Sequence, residues 1–285
     1  MKCFSNFKIT SLVIIALFNA CTKDIKLTLP EHKPALVLNS VFNPDSTFKV
    51  DLSANRSIFS NQDFKPVENA SIQLFKNGNY LTDLQHIKEG IYTTPIKPET
   101  LQKYTIKAAA AGFPDITAHN DVPLAPSVRQ VQAKAAYTRV EEYYKGVDVS
   151  FTLDAPSTEE NFYYLRAYAF VKDNAGNDRI QWIGIQLQLP VEKDFSVDDK
   201  HFFSDKLFQG KSASFKLHLV NNPKSLDYTI YLKIAHISKV YYDYEKTFSE
   251  SISDLNFNQE AVSNNIENGM GIFAGYNAIT VTIKP

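Results

Sequence analysis

The chain has two cysteines, one tryptophan and ten glycines in 285 residues. Cys3 and Cys21 both lie near the N-terminus. The body of the chain therefore has no disulfide framework and no thiolate set for a metal. Its core alone must hold it, and 285 residues are enough for that. Charge of one sign is also lacking, with 31 acidic residues against 30 basic ones, interspersed. That balance argues against a nucleic-acid or polyanion partner. A transmembrane helix needs about 20 apolar residues. The stretch 9–18 is too short for one, and no second long apolar stretch follows it.

The motifs of catalysis are missing as well. His32, His86, His119, His201, His218 and His236 are scattered, and no pair has the i, i+4 spacing of a zinc helix. His201 near Asp198, Asp199 and Asp205 has metal-binding composition, but carboxylates beside one histidine are common by chance. There is no nucleophile elbow, Walker loop or dinucleotide fingerprint. Gly269-Met270-Gly271 lacks the basic residue and helix context of a phosphate loop. Asp154, Glu159 and Glu160 are carboxylates that sequence cannot place across a cleft. No catalytic residue, cofactor or metal is expected.

What is present begins at the N-terminus. Lys2 and Lys8 precede the apolar stretch Ile9–Phe18, and Asn19-Ala20-Cys21 follows. The length fits the h-region of an export signal, roughly 7–15 residues. The segment resembles a bacterial lipobox, which implies cleavage of 1–20 and lipid on Cys21. Phe18 stands where that pattern favours leucine. The competing reading is an ordinary secretory signal or an uncleaved anchor. Loss of Lys2 and Lys8 takes 30 basic residues to 28 against 31 acidic ones. Residues 21–34 read as a polar tether, able to reach roughly 40 Å if extended.

From residue 35 the pattern is β. Aromatics are abundant, with 15 Tyr and 20 Phe, and such composition favours strands. Runs at 35–42, 48–52, 67–75, 80–84, 104–108 and 116–122 are separated by turn residues, among them Asn43-Pro44-Asp45, Asn77-Gly78-Asn79 and Gly112-Phe113-Pro114. Strands about ten residues apart suggest a sandwich over 35–124. Pro123-Leu124-Ala125-Pro126 reads as a linker. Further strands at 147–153, 161–171, 180–189, 212–219, 228–234 and 279–284 make 125–285 a second β-rich module.

One helix is expected, capped by Ser238, with Tyr241, Tyr244 and Phe248 on one face and an i, i+4 pair of Lys239 and Asp243. Tyr241, Tyr242 and Tyr244 have two readings: packing on a sheet, the commoner role at this spacing, or a contact platform for a ligand or partner. Trp182, in a hairpin strand, has the same two. The glycine-dense segment ending at Tyr276 reads as a tight buried loop leading into the last strand, with a partner contact as the alternative.

Two resemblances add to this. Pro66-Val67-Glu68-Asn69-Ala70-Ser71-Ile72, Gly90-Ile91-Tyr92, Tyr104-Thr105-Ile106 and Ala111-Gly112-Phe113 resemble the Ig/transthyretin-like or carboxypeptidase-regulatory-like β-sandwich. These are packing and turn positions. Val262-Ser263-Asn264-Asn265-Ile266-Glu267-Asn268-Gly269-Met270-Gly271-Ile272-Phe273-Ala274-Gly275-Tyr276 resembles the closing motif of a Bacteroidetes lipoprotein family defined only as a domain of unknown function. That resemblance extends over 35–285 and includes Leu36–Asn39 and Phe203–Phe208. It implies an outer-membrane, cell-surface lipoprotein that serves a TonB-dependent receptor in nutrient uptake. Lys23-Asp24 partly resembles the charged surface-export signal of that phylum. An adhesion or structural lipoprotein, and a degradative enzyme of unknown type, are the alternatives.

Overall fold

The computed structural model describes residues 34–56, 64–137, 145–155, 159–173, 175–189, 193–220, 229–253 and 261–284. The signal 1–20, Cys21, Lys23, Asp24 and the tether through residue 33 lie outside the described residues. The strands are β1 (Leu36–Phe42), β2 (Lys49–Ala54), β3 (Lys65–Pro66), β4 (Ser71–Lys76), β5 (Asn79–Asp83), β6 (Gln85–Lys88), β7 (Ile91–Thr93), β8 (Lys103–Ala109) and β9 (Ile116–Asp121). They continue as β10 (Ser127–Tyr137), β11 (Lys145–Asp154), β12 (Phe162–Lys172), β13 (Asp178–Leu189), β14 (Phe195–Val197), β15 (Lys200–Ser204), β16 (Ser212–Val220) and β17 (Ile230–Ile237). The helix α1 (Lys239–Ser253) and the long strand β18 (Met270–Ile283) close the chain. The protein is mainly β, as its composition and alternation predict.

The first half is a two-sheet sandwich. One sheet runs β6-β7-β2-β1-β18, with β3 beside β2, and the other runs β5-β4-β8-β9. Side chains alternate across each strand, so period-2 positions fill the core. Leu36, Leu38 and Phe42 on β1 are buried with Ile72 and Leu74 on β4 and Tyr104 and Ile106 on β8. Asn77 (φ 51°) and Gly78 (φ 84°) both take positive φ, which a two-residue hairpin of the expected type requires. The strand expected from Val67 starts at Ser71 instead. Val67 is engaged otherwise: its carbonyl accepts from the Tyr92 hydroxyl, and that hydroxyl accepts from the Ala70 amide.

The second half is one sheet that turns over on itself. Its order is β10-β11-β16-β13-β12-β17-β18. The first half of β13 pairs with β12 and the second half with β16, so β13 passes from one layer to the other. Phe151, Phe215 and Leu217 of one layer pack with Tyr163, Leu165, Leu232 and Ile234 of the other. Phe151 and Phe215 stack at 5.1 Å.

Strand β18 belongs to both halves. Residues 270–275 run parallel to β1, in register from Val37↔Met270 to Phe42↔Gly275. Residues 276–283 run antiparallel to β17. The strand expected at 279–284 therefore begins nine residues earlier, and the segment expected as a buried loop is strand from Met270 onward. Its glycines hid it, since glycine weakens a strand signature. They are needed there: a Cβ at Gly271 (φ 111°) would run into the Leu38 carbonyl, and one at Gly275 into the Asp121 carbonyl.

Helix α1 lies on the outer face of the second sheet. Ser238 caps it, accepting from the Tyr241 amide at 3.3 Å. Lys239 and Asp243 pair at 2.5 Å. Tyr241 and Tyr242 are buried with Phe162, Tyr164, Phe202 and Ile237. Sequence patterning missed the short β3, β6, β14 and β15, of two to five residues each, too short for a period to show, and it gave no strand for the eleven-residue β10 either.

Candidate functional site: an aromatic and cationic sheet face

Helix α1 covers only part of the outer face of β12, β13 and β17. On β12 the residues directed outward are Tyr164, Arg166, Tyr168 and Phe170, because Tyr163, Leu165, Ala167 and Ala169 face the core. The pairing register sets their neighbours: Phe170 opposite Ile180, Tyr168 between Trp182 and Tyr231, and Arg166 opposite Lys233. Tyr164 lies under the helix in ring contact with Tyr241. Beyond it the face is open, with Trp182 40% exposed, Phe170 50% and Ile180 49%.

The open half is an aromatic cluster with two cations at its inner border. The Tyr168 ring meets Trp182 edge-on at 5.9 Å and stacks on Tyr231 at 5.3 Å. Phe170 meets Tyr231 at 5.6 Å. The Arg166 guanidinium carbon sits 3.4 Å from the Trp182 ring centroid, a cation–π contact. Its Nε is buried and has no hydrogen-bond partner. Lys233 donates to the Tyr276 hydroxyl at 3.3 Å and lies over that ring at 4.9 Å. Burial pushes the Lys233 ammonium below its usual range and Arg166 adds to this, while Asp45 opposes it. Like charges directly across a strand pair are unfavourable. Among the described residues, no carboxylate makes an ion pair with either cation.

The expected site residues separate on this surface. Trp182 is on the open face, against the commoner core role for a hairpin tryptophan. Tyr241 and Tyr242 are buried beneath the helix, and Tyr244 is half-buried. Burial raises all three phenols above their ordinary value. Tyr242 donates to Asp194 at 2.6 Å. The helix is further tied by a buried pair, Lys200 Nζ to Glu245 Oε1 at 2.5 Å, with Tyr241 also in reach of Lys200. Sequence reading missed Arg166 and Lys233. The signal available was that each is a cation in the interior of a largely apolar strand.

The closing motif is an asparagine-built latch. The Asn265 side chain exchanges two hydrogen bonds with the Phe273 backbone, at 2.8 and 2.9 Å. Asn264 accepts from the Ile266 amide and donates to the Gly269 carbonyl, both at 2.9 Å. Asn120 accepts from the Gly275 amide at 2.8 Å. Asn277 donates to the Pro123 carbonyl, and His236 Nδ1 to the Leu124 carbonyl at 2.9 Å. The linker 123–126 is thus fastened to β17 and β18.

A cleft of about 580 Å³ lies beside that linker, lined by residues including Asp121, Glu159, Glu160, His236 and Lys239. His201 does not converge with Asp205: His201 contacts Ser196, and Asp205 accepts from the Asn161 amide and side chain. Among the described residues no three His, Cys, Asp or Glu gather to hold a metal. No helix among them is long and apolar enough to cross a membrane.

These features define a β-sandwich protein whose two halves share a strand and which carries an exposed aromatic cluster on an open sheet face. The chain belongs to the DUF4249 family, a domain of unknown function, which it matches over residues 22–281. A search of curated proteins finds no match. Among solved structures, a DUF4785 family protein from Legionella pneumophila is similar at 12% identity and a TM-score of 0.23. The similarity covers 70% of this chain and 52% of that one, so this chain spans about half the length of that protein.

Proposed function

We propose that the protein is an outer-membrane lipoprotein, anchored through Cys21, that serves a TonB-dependent receptor as a binding accessory in nutrient uptake. The observation that carries this is the open aromatic face around Trp182, Phe170 and Ile180. Exposed apolar clusters of this kind mark interaction sites, and interface energy concentrates in Trp, Tyr and Arg anchors. The lipobox-like segment supplies the anchor, and Lys23-Asp24 behind it supports display on the cell surface. The family match begins at residue 22, directly after Cys21, which agrees with a mature body starting there.

Two measurements test this. Detergent extraction of the native protein should bring down a β-barrel receptor, and deleting the gene should lower uptake of at least one nutrient. No barrel and unchanged uptake would replace this reading with an adhesive or structural lipoprotein. The anchor has its own test. One acyl chain holds a membrane only marginally and two hold firmly, at about 0.8 kcal/mol per buried CH₂. Cys21→Ala should release the protein from membranes or block its processing, and mass spectrometry of the wild-type N-terminus should show lipid on Cys21. An unmodified thiol there refutes the anchor.

A further inference from the structure

The open face carries more than apolar surface, and its charge states what it accepts. Arg166 and Lys233 stand opposite each other on adjacent strands, both half-buried. Cross-strand neighbours of this kind have Cβ atoms about 5 Å apart, so both charges stand at one border of the open face. The Arg166 Nε is buried and has no hydrogen-bond partner, so an acceptor arriving from solvent would meet the guanidinium through its terminal nitrogens. Asp178, the acidic residue at the outer end of the face, is occupied by Lys172 at 2.7 Å. Asp45 acts on Lys233 but, among the described residues, makes no ion pair with either cation, so the two inner cations outnumber the one carboxylate that acts on them. Small-molecule sites are concave and enclose most of their ligand. This face is the outer surface of a sheet, and the cleft described above is lined by other residues. A flat aromatic and arginine surface suits a protein partner.

On the reading that this is a binding face, we propose that the open half of β12, β13 and β17 docks an acidic, apolar segment of a partner protein. An Asp or Glu carboxylate seats between Arg166 and Lys233, through charge-assisted hydrogen bonds. The apolar side chains beside that carboxylate pack on Trp182, Tyr168 and Phe170. A second copy of this chain would set the same two cations against themselves across a twofold axis, and they would then need an acid from elsewhere on its surface.

The test uses the full-length protein in its own cells, with a photoactivatable residue at Phe170 or at Ile180. The captured partner peptide should hold an Asp or Glu close to the crosslink. Arg166→Glu and Lys233→Glu should each cut capture by at least about tenfold, while Lys134→Glu on the distant strand β10 should not. Changing the partner's acid to Lys should restore capture by Arg166→Glu. Four outcomes overturn the proposal: no capture above a control position, a captured segment without an acid, capture of another copy of this chain, or indifference to both charge reversals. A second arm needs no partner, because Trp182 is the only tryptophan. Iodide should quench its emission more than neutral acrylamide of matched access, and Arg166→Gln with Lys233→Gln should abolish that excess. Equal iodide quenching in wild type and variant overturns the charge argument. A millimolar phenylpropionate shift of Trp182 emission as large as that from the captured peptide assigns the face to small carboxylates and overturns protein docking. If the receptor co-purifies but charge reversal changes nothing, this inference fails and the transport reading stands. If an acidic segment is captured from a protein that is no receptor, the reverse holds.

Discussion

At the scale of single residues, the structure is least tolerant where a small or charged group has one partner and no room. Lys200 and Glu245 are both about nine-tenths buried and join β15 to helix α1. Removing one charge leaves the other desolvated and alone, which costs about 3–5 kcal/mol. Lys200→Met should therefore destabilise the protein by that amount in denaturant unfolding. The double variant with Glu245→Leu should recover most of the loss, since apolar replacement of a buried pair is often neutral. A double variant no better than the single one would show that the pair is not coupled. Gly275 is the complementary case. An added methyl at Gly275 meets the Asp121 backbone, and overpacking costs roughly 1–3 kcal/mol. Gly275→Ala should lower the melting temperature, whereas Gly112→Ala, whose Cβ would meet open space at a positive φ of 87°, should show only a backbone penalty.

At the scale of elements, the alternating strands and the capped helix were legible because burial alternates with the pleat and one hydroxyl suffices for a cap. Ile72, Leu74, Tyr92 and Ile106 are buried as the period predicts. The start of β18 was not legible. Its glycines are dictated by the backbones of Leu38 and Asp121, which lie far away in sequence, and no local pattern reports a distant contact. The open face was legible in Trp182 alone, because register, which sequence does not show, brings Arg166 to Lys233. The latch between linker and sheet has a pH signature. His236 stacks on Tyr163 at 4.9 Å, and burial holds its imidazole below the usual 6.5, against small opposing effects of Leu124 and Asp121. The folded state thus binds this proton less readily than the unfolded chain. Its contribution is fully present above 6.5 and is lost as pH falls from 6.5 through the folded value. Melting between pH 8 and pH 5 should show a smaller drop for His236→Gln than for wild type. His201 shifts in the same direction and is present in both proteins, so the difference belongs to His236. An identical drop in both would remove His236 from the latch.

At the scale of the whole molecule, β18 decides how many units unfold. Residues 34–285 form one compact unit. The core of the first sandwich includes Ile266 and Phe273, and that of the second includes Ile283. A segment of 35–124 in isolation would lack the strand that pairs with β1 and the bridge from Glu267 to Thr117 on β9. That exposes a β1 edge and the end of an apolar core together. The full chain should therefore unfold in one transition, with probes in either half reporting the same midpoint. Phe273→Ala removes a fully buried ring, at about 3–5 kcal/mol, and should shift the midpoint read from Trp182 in the other half as much as that read from the first sandwich. A chain ending before Met270 should lose cooperative unfolding in both halves, and a peptide of 262–284 added in trans should restore part of it. Two separate transitions, with Trp182 blind to Phe273→Ala, would mean that the halves fold independently and that β18 only bridges them.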